Sequence, residues 1–285
     1  MKLTLEAIKQ PLRHIKRQML HTAEVAPAPS IIECYSMNLP SDQEALNIFS
    51  GEWSSQFPDA LSLQAGSVTL FDDERIRIGL AALGGVAGQK VLELGPLEGG
   101  HSYQLEKAGA ASVLAIEANS RAYLKCLIAK EITGMKNVHF KHGDFMAYLR
   151  SQPPRFDMVL ASGVLYHQQQ PMELISLLSR ITDRVLVWTH YYDAEMVRQS
   201  AHLKSIFKSA HRTQFGGYEH TLHRQEYQTA LLRPGFCGAG AHYSHWMERD
   251  ELLRAWKHVG YRSVEVLQED RFFPNSPCFL LAVKR

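Results

Sequence analysis

The apolar positions of this chain change their spacing along its length. Over residues 3–20, Leu5, Ile8, Leu12, Ile15 and Met19 recur three or four apart, which predicts an amphipathic helix ended or kinked at Pro11. Lys9, Arg13, Lys16 and Arg17 lie off that stripe and read as a solvated basic face. From His21 to Pro40 the prolines of residues 26–29 and the Asn38-Leu39-Pro40 run predict a loop. Ser41 then offers an N-cap and Glu44 the acid of a capping box, opening a short helix.

From about residue 70 the rhythm is different. Short apolar runs at Val91–Leu94, Ser112–Glu117, Val138–Lys141, Phe156–Ala161 and Arg184–Thr189 alternate with helical windows. Those windows follow Asp72-Asp73-Glu74 up to Gly84-Gly85, run through Lys107, and cover Ser120–Ile132 and Pro171–Arg180. Strand and helix alternating at this interval predict βαβ units and a mostly parallel sheet covered on both faces. The stretch of about 191–245, rich in His, Tyr, Gln and Gly, breaks the rhythm and reads as an insertion after the fifth strand. A helix from Met247 to Gly260 resumes it, and Arg262–Leu267 with Phe279–Val283 predict two closing strands in an antiparallel hairpin. The expected division is a helical and loop extension over 1–69 and an α/β domain over 70–285.

Composition narrows the class without choosing a function. At 285 residues, 45% hydrophobic and 21% charged, the chain is an ordinary globular protein with enough length for a large core. Lys+Arg of 31 against Asp+Glu of 29 argues against bulk attraction to nucleic acid, while leaving a local basic patch open. No run approaches the ~18–20 apolar residues of a membrane span, and the charged start makes a poor signal peptide. Cys34, Cys126, Cys237 and Cys278 are scattered without a close pair, the pattern of free thiols in a reducing cytoplasm.

The chemistry concentrates at strand ends. Val91–Gly100 is a strand feeding a glycine-containing turn and then a helix, and Gly95 and Gly99 let a ligand approach bare backbone. The dinucleotide fingerprint fails, because Leu97 stands where its second glycine belongs. Glu93, two residues before Gly95, would be misplaced beside a pyrophosphate and suits a ligand with a cationic amino-acid end. Glu117, 24 residues on, ends the next apolar run, where a carboxylate takes both hydroxyls of a ribose. Asp144 follows the third run, where it and Phe145 offer a partner for an adenine amine and ring face.

Glu93, Gly95, Gly99, Glu117, Asp144 and the Phe156–Leu160 run together resemble the class I S-adenosylmethionine-dependent methyltransferases. The resemblance covers about residues 70–190 and the closing strands. It implies a Rossmann-like, seven-stranded, mostly parallel sheet with an antiparallel last strand, and S-adenosyl-L-methionine as cofactor. Carried over, it places Glu93, Gly95 and Gly99 at the methionine end, Glu117 at the ribose, and Asp144 with Phe145 at the adenine. Ala161, Ser162 and Gly163 would line the cofactor floor. Leu97 departs from the commoner turn with three alternating glycines.

Beyond the fourth strand, Tyr166 and His167 are the candidate catalytic residues. An aromatic face attracts a sulfonium, and an imidazole titrating near neutrality suits removal of a hydroxyl proton. The Gly163–His167 pentapeptide also resembles that of bacterial wobble-uridine tRNA carboxymethyltransferases. The insertion holds two H-x-x-H pairs, His220/His223 and His242/His245, yet their spacing fits no structural zinc module, and no metal is expected. A lid carrying Tyr218, Tyr227, Phe236, Tyr243 and Trp246 over an acceptor pocket, which His190, Tyr191 and Tyr192 also face, is the favoured reading. The resulting expectation is a methyltransferase acting on a small-molecule or glycan-like acceptor. RNA is the alternative partner, and an idle cofactor-binding scaffold the third reading.

Overall fold

Each apolar run expected after residue 70 forms a strand in the computed structural model, which describes residues 34–232, 238, 240–273 and 276–285. The chain divides after Pro40 into two units, each taken by itself. Of the first, residues 34–40 are described, and they are exposed and without helix or strand. The helix expected over 3–20, together with Phe236 and Cys237, lies outside the described residues. Everything below concerns residues 41–285.

The strands are β1 (Lys90–Leu94), β2 (Ser112–Glu117), β3 (Val138–His142), β4 (Met158–Ser162) and β5 (Arg184–His190), closed by β9 (Ser263–Asp270) and β10 (Cys278–Lys284). They form one sheet in the order β3-β2-β1-β4-β5-β10-β9. The first five are parallel, and β10 runs antiparallel to both β5 and β9. Chain order reverses between β1 and β4, so a crevice opens at the carboxyl ends of those two strands.

Alternation along the strands explains why the sheet is covered twice. Val91, Val113, Ala115, Met158 and Leu160 pack on one side with Ile76 and Leu80 of α2 (Glu74–Leu83), Leu105 of α3 (Gly100–Lys107) and Cys126 of α4 (Ser120–Thr133). Leu92, Leu94, Val159, Ala161 and Val187 point the other way. There they meet Leu149 of α5 (Phe145–Arg150), Leu174 and Leu178 of α6 (Pro171–Ile181) and Trp256 of α9 (Arg249–His258). Helix starts are set by side chains: Asp73, Asn119 and Asp144 accept backbone N–H groups of Arg75, Ala122 and Met146 at 2.9, 3.0 and 2.8 Å. The short helix α1 (Asp42–Asn47) starts as expected, with Ser41 Oγ accepting from Glu44 N at 3.1 Å.

Residues 49–73 strap the turn after β1 and the first turns of α3 and α4. Phe49, Trp53, Phe57, Phe71 and Tyr103 form a chain of ring contacts with centroids 4.6–6.3 Å apart. Beneath them lies a buried ion pair, Lys125 Nζ to Glu98 Oε1 at 3.0 Å. The same carboxylate accepts Ser54 and Ser55 N–H, and the ammonium also donates to Glu52 O. Every formal charge there is answered, which is the condition under which such a pair is tolerated.

The insertion differs from the sequence reading. It holds two short helices, α7 (Ala194–Gln199) and α8 (Ala201–Ile206), and a second sheet, β6 (Phe207–Phe215), β7 (Tyr218–Glu226) and β8 (Tyr243–Trp246), in the order β6-β7-β8. Gly216 and Gly217, with φ of 55° and 81°, make the two-residue turn of the β6–β7 hairpin. No apolar run betrays β6 because most of its side chains face solvent. Beneath the insertion, burial pushes His167 down to about 3 and His190 and His223 to about 4, and lowers His245.

Two outcomes follow from this packing. Lys125→Met should destabilise the protein by about 3–5 kcal/mol in urea denaturation, because Glu98 would remain buried without its cation. Adding Glu98→Gln should restore part of that loss, since the amide oxygen still accepts Ser54 and Ser55 N–H; equal losses would refute the charge argument. The depressed histidines act on pH: each binds a proton on unfolding below about pH 6.5 but resists it when folded, so stability drains away as pH falls from about 6.5 toward 4. Glu93 and Glu117, which burial raises, act in the opposite sense. The histidine part is therefore read as a difference: below pH 6.5 the wild-type stability should fall faster than that of His223→Gln by up to about 1.4 kcal/mol per pH unit. Parallel curves for the two proteins would contradict it.

Candidate active site

The turn after β1 builds one wall of the crevice. Gly95, Leu97 and Gly99 all take left-handed backbone, with φ of 63°, 57° and 83°. A Cβ on Gly95 would stand 2.8 Å from Val164 Cγ1, and one on Gly99 2.9 Å from Phe140 Cζ, so glycine is required at both. Leu97, the departure noted in the sequence, adopts the glycine-like geometry all the same, at a cost of about 1–2 kcal/mol. Its surroundings hold it there: its N–H donates to Glu117 Oε2 at 3.1 Å, and its carbonyl accepts Cys126 Sγ–H at 3.4 Å.

Glu117 closes β2 and is buried, with its carboxylate on the cavity wall. Oε1 accepts Asn119 N–H at 2.8 Å and Oε2 accepts Leu97 N–H. The backbone of Ala118 also bonds this carboxylate, and of its roughly four acceptor positions at least one remains for a hydroxyl donor. Burial raises its pKa, against these backbone bonds. Asp144 caps α5 through Oδ1 and keeps Oδ2 for a ligand, with Phe145 and Met146 beside it on the wall.

Not every expected residue reaches the cavity. Glu93 faces α3, is 1% exposed and accepts a short hydrogen bond from Ser102 Oγ; burial pushes its pKa up, with His101 and Ser102 opposing. It shares a face of the sheet with Glu117, but Glu117 is the last residue of its strand whereas Glu93 lies one residue short of the end of β1, where α3 covers it. Gly99 and Ala161 likewise shape the wall from behind, whereas Gly95, Ser162 and Gly163 line it.

Past β4 the chain makes a single 3-10 turn, Leu165–His167. Gly163 has φ of 79°, and Tyr166 Oη lies 3.9 Å from where its Cβ would be, so the phenol stands over the strand tip. The Tyr166 ring contacts those of His167, His190, Trp188 and Trp246 at centroid distances of 4.1, 4.7, 6.0 and 5.8 Å. Burial, reinforced by Tyr227, holds the Tyr166 hydroxyl well above its ordinary range, so it acts only as a neutral phenol. Burial and the nearby His190 keep His167 a neutral imidazole, whose Nδ1 lies 2.6 Å from Tyr227 Oη. The insertion is stitched down here: His245 N donates to Gln168 O at 2.9 Å, and His245 Nδ1 bonds Gln169 O at 2.7 Å.

These walls enclose a cavity of about 1140 Å³, room for a nucleoside-sized ligand and a second small molecule together. Its two halves differ. One, at β1–β3, offers bare glycine backbone and the partly satisfied carboxylates of Glu117 and Asp144, a donor set that suits a ribose and an adenine amine. The other, at β4–β5, is aromatic. Arg75, His101, Trp188 and Gln168–Gln170 also line it. The sequence reading missed these, although the acidic start of α2 marks where Arg75 sits. The H-x-x-H histidines do not converge: His223 stacks on Tyr192 at 3.4 Å while His220 bonds Tyr218 O. Among the described residues no group of three His, Cys, Asp or Glu side chains is placed to hold a metal, and no helix is long and apolar enough to cross a membrane.

A family model described as a methyltransferase domain matches residues 86–257. Among curated proteins, the tRNA U34 carboxymethyltransferase of Psychrobacter arcticus is 29% identical over 103 residues, 34% of this chain and 29% of its own length. That of Chromohalobacter salexigens is 31% identical over 90 residues, 30% of this chain and 26% of its length. The matches thus span less than a third of those relatives. Among solved structures, the N-terminal domain of EvdMO1, crystallised in the presence of SAH and D-fucose, superposes with a TM-score of 0.66 at 22% identity, over 85% of this chain and 94% of that one. An S-adenosylmethionine-dependent methyltransferase from Mesorhizobium loti gives 0.51 at 13% identity, over 76% and 100%. Both likenesses are of fold. With most of its α/β domain inside the family match and the crevice at the β1/β4 reversal, this chain belongs to the methyltransferase-domain family.

Proposed function

We propose that this chain methylates a hydroxyl group of a sugar-like small molecule. The observation that carries the reading is the second half of the cavity. Tyr166 and Trp188 give flat apolar faces for the C–H side of a sugar ring, and Gln168–Gln170 give amides for its hydroxyls. The EvdMO1 domain, of the same fold, was crystallised in the presence of D-fucose, which supports an acceptor of that class.

S-adenosylmethionine, when bound, supplies a methyl group on a sulfonium, already attached to an excellent leaving group. The turn at Gly95–Gly99 and Glu117 would hold it, with Asp144 and Phe145 at the base. The residues of the chain then have three tasks. Tyr166 presents a neutral ring that favours a cation and excludes water. The aromatic walls fix the acceptor in line, an effect worth up to ~7–11 kcal/mol when geometry is held. His167 faces the hydroxyl as the methyl transfers and takes its proton through Nε2, since Tyr227 Oη occupies Nδ1; burial makes this imidazole a weaker base than the near-neutral titrant expected from the sequence. Burial keeps that nitrogen unprotonated down to about pH 3, so His167 imposes no acid limb near neutrality.

A second reading, modification of tRNA, is favoured by the Gly163–His167 segment and by the partial likeness to the tRNA U34 carboxymethyltransferases. Salt separates the two. An RNA acceptor held through some six phosphates should lose about 10³-fold in affinity between 50 and 200 mM salt, whereas a small sugar should show almost none.

The residue assignments have their own test. Glu117→Ala should weaken S-adenosylhomocysteine binding by at least about 30-fold in calorimetry, having removed at least one charge-assisted hydrogen bond. His167→Ala should leave that affinity within about threefold and lower kcat by ~10²–10⁴. Unchanged nucleoside affinity in Glu117→Ala would remove the ribose role.

A further inference from the structure

Asp73 and Arg75 open α2, and their side chains form a fixed charge cluster at the cavity. The Asp73 carboxylate is buried. Arg75 N–H and Nε, each at 2.9 Å, Arg75 Nη2, and His101 Nε2 at 2.9 Å converge on it. Burial would push this carboxyl up, but the hydrogen bonds from His101 and Arg75 hold it well below the usual range, so it stays an anion. The guanidinium is pinned from a second side, with Cζ 4.5 Å from the centroid of the Trp188 ring on β5. Two of its nitrogens serve Asp73; among the described residues Nη1 is given no acceptor.

A cation held this rigidly, with donors to spare and its side chain 24% exposed, is prepared for an anion. Its place in the sheet says which ligand brings the anion. Along the strand tips the order is Glu117 on β2, Gly95 on β1, Gly163 on β4 and Trp188 on β5. Arg75 stands over the last of these, on the far side of Gly163 from Glu117. His101 reaches Asp73 from α3, beside Gly100 and the β1 turn. The cluster therefore turns its histidine toward the nucleoside half of the cavity and its guanidinium toward the aromatic half. Glu117 and Asp144, at the ends of β2 and β3, are three and four strands away from β5, and Glu173 on the wall is engaged by Arg150.

We propose that Arg75 selects an acidic acceptor: a sugar whose carboxylate or phosphate seats on the guanidinium while a hydroxyl is presented above Gly163. This rests on the sugar-acceptor reading and narrows it. Trp188 then has two tasks, stacking on the acceptor ring and holding the cation that reads its charge.

The experiment titrates D-glucuronate, D-glucose 6-phosphate and D-glucose into the full chain saturated with S-adenosylhomocysteine, for wild type, Arg75→Gln and Arg75→Lys. In wild type at least one acidic sugar should bind about tenfold or more tighter than D-glucose. Which of the two does so distinguishes carboxylate from phosphate. Arg75→Gln should abolish that preference and Arg75→Lys should keep part of it, with S-adenosylhomocysteine affinity within about threefold in all three proteins. Binding of D-glucose with no preference for either acid overturns the inference and leaves the sugar reading intact. Failure of all three sugars to bind overturns both. If Arg75→Gln instead weakens S-adenosylhomocysteine tenfold, and not its decarboxylated analogue, the anion belongs to the cofactor and the proposal falls.

Discussion

The site depends on one hydrogen bond between neighbouring strands, from Leu97 N–H to the Glu117 carboxylate. Leu97 sits in left-handed backbone that costs a non-glycine residue about 1–2 kcal/mol, and this bond is one of the contacts that offset it. The bond also orients Glu117, because each of its oxygens is then committed to a backbone N–H. The turn is held from behind as well. Glu98, one residue on, points away from the cavity into the Lys125 pair and ties the turn to residues 52–55. A carboxylate on either side thus fixes a turn that has too few glycines to be self-supporting.

The same economy of charge runs through the rest of the cavity. At the β1–β3 end, the buried Glu117 and the exposed Asp144 are both kept bonded to backbone N–H groups. At the acceptor end, burial strips charge instead, leaving Tyr166 a phenol and His167 and His190 neutral imidazoles. A cationic methyl donor would meet carboxylates on one side and neutral aromatic rings on the other, while the one guanidinium of the aromatic half, Arg75, has its charge answered by Asp73. The displacement itself is accelerated chiefly by alignment.

Much of the fold was legible because the central strands are buried on both faces. Val91–Leu94 and Ser112–Glu117 read as unbroken apolar runs for that reason, and the caps at Asp73, Asn119 and Asp144 fall where strand tips turn into helices. The insertion was not legible as a sheet. β6 is an exposed strand of mostly polar residues, and the Gly216-Gly217 turn, though flanked by Phe215 and Tyr218, has no alternating apolar run on either side to announce a hairpin. Of the residues read as site candidates, Glu117, Asp144, Gly95, Gly163, Tyr166 and His167 come to the cavity wall, because motif spacing and strand ends locate them. Glu93 follows the same spacing, yet it stands short of the strand end, where α3 covers it and Ser102 bonds it.

By itself the sequence determined which segments are strands, which turn is bare enough to receive a nucleoside, and which acids end the strands beside it, since these follow from local hydrophobicity and glycine placement. Tertiary structure decided what those acids do. Burial, depth below the strand end and the approach of residues far apart in the chain set whether Glu93 or Glu117 meets the cavity. They also set whether His167 holds a proton, and where Arg75 comes to rest, because all three depend on neighbours that no local pattern encodes.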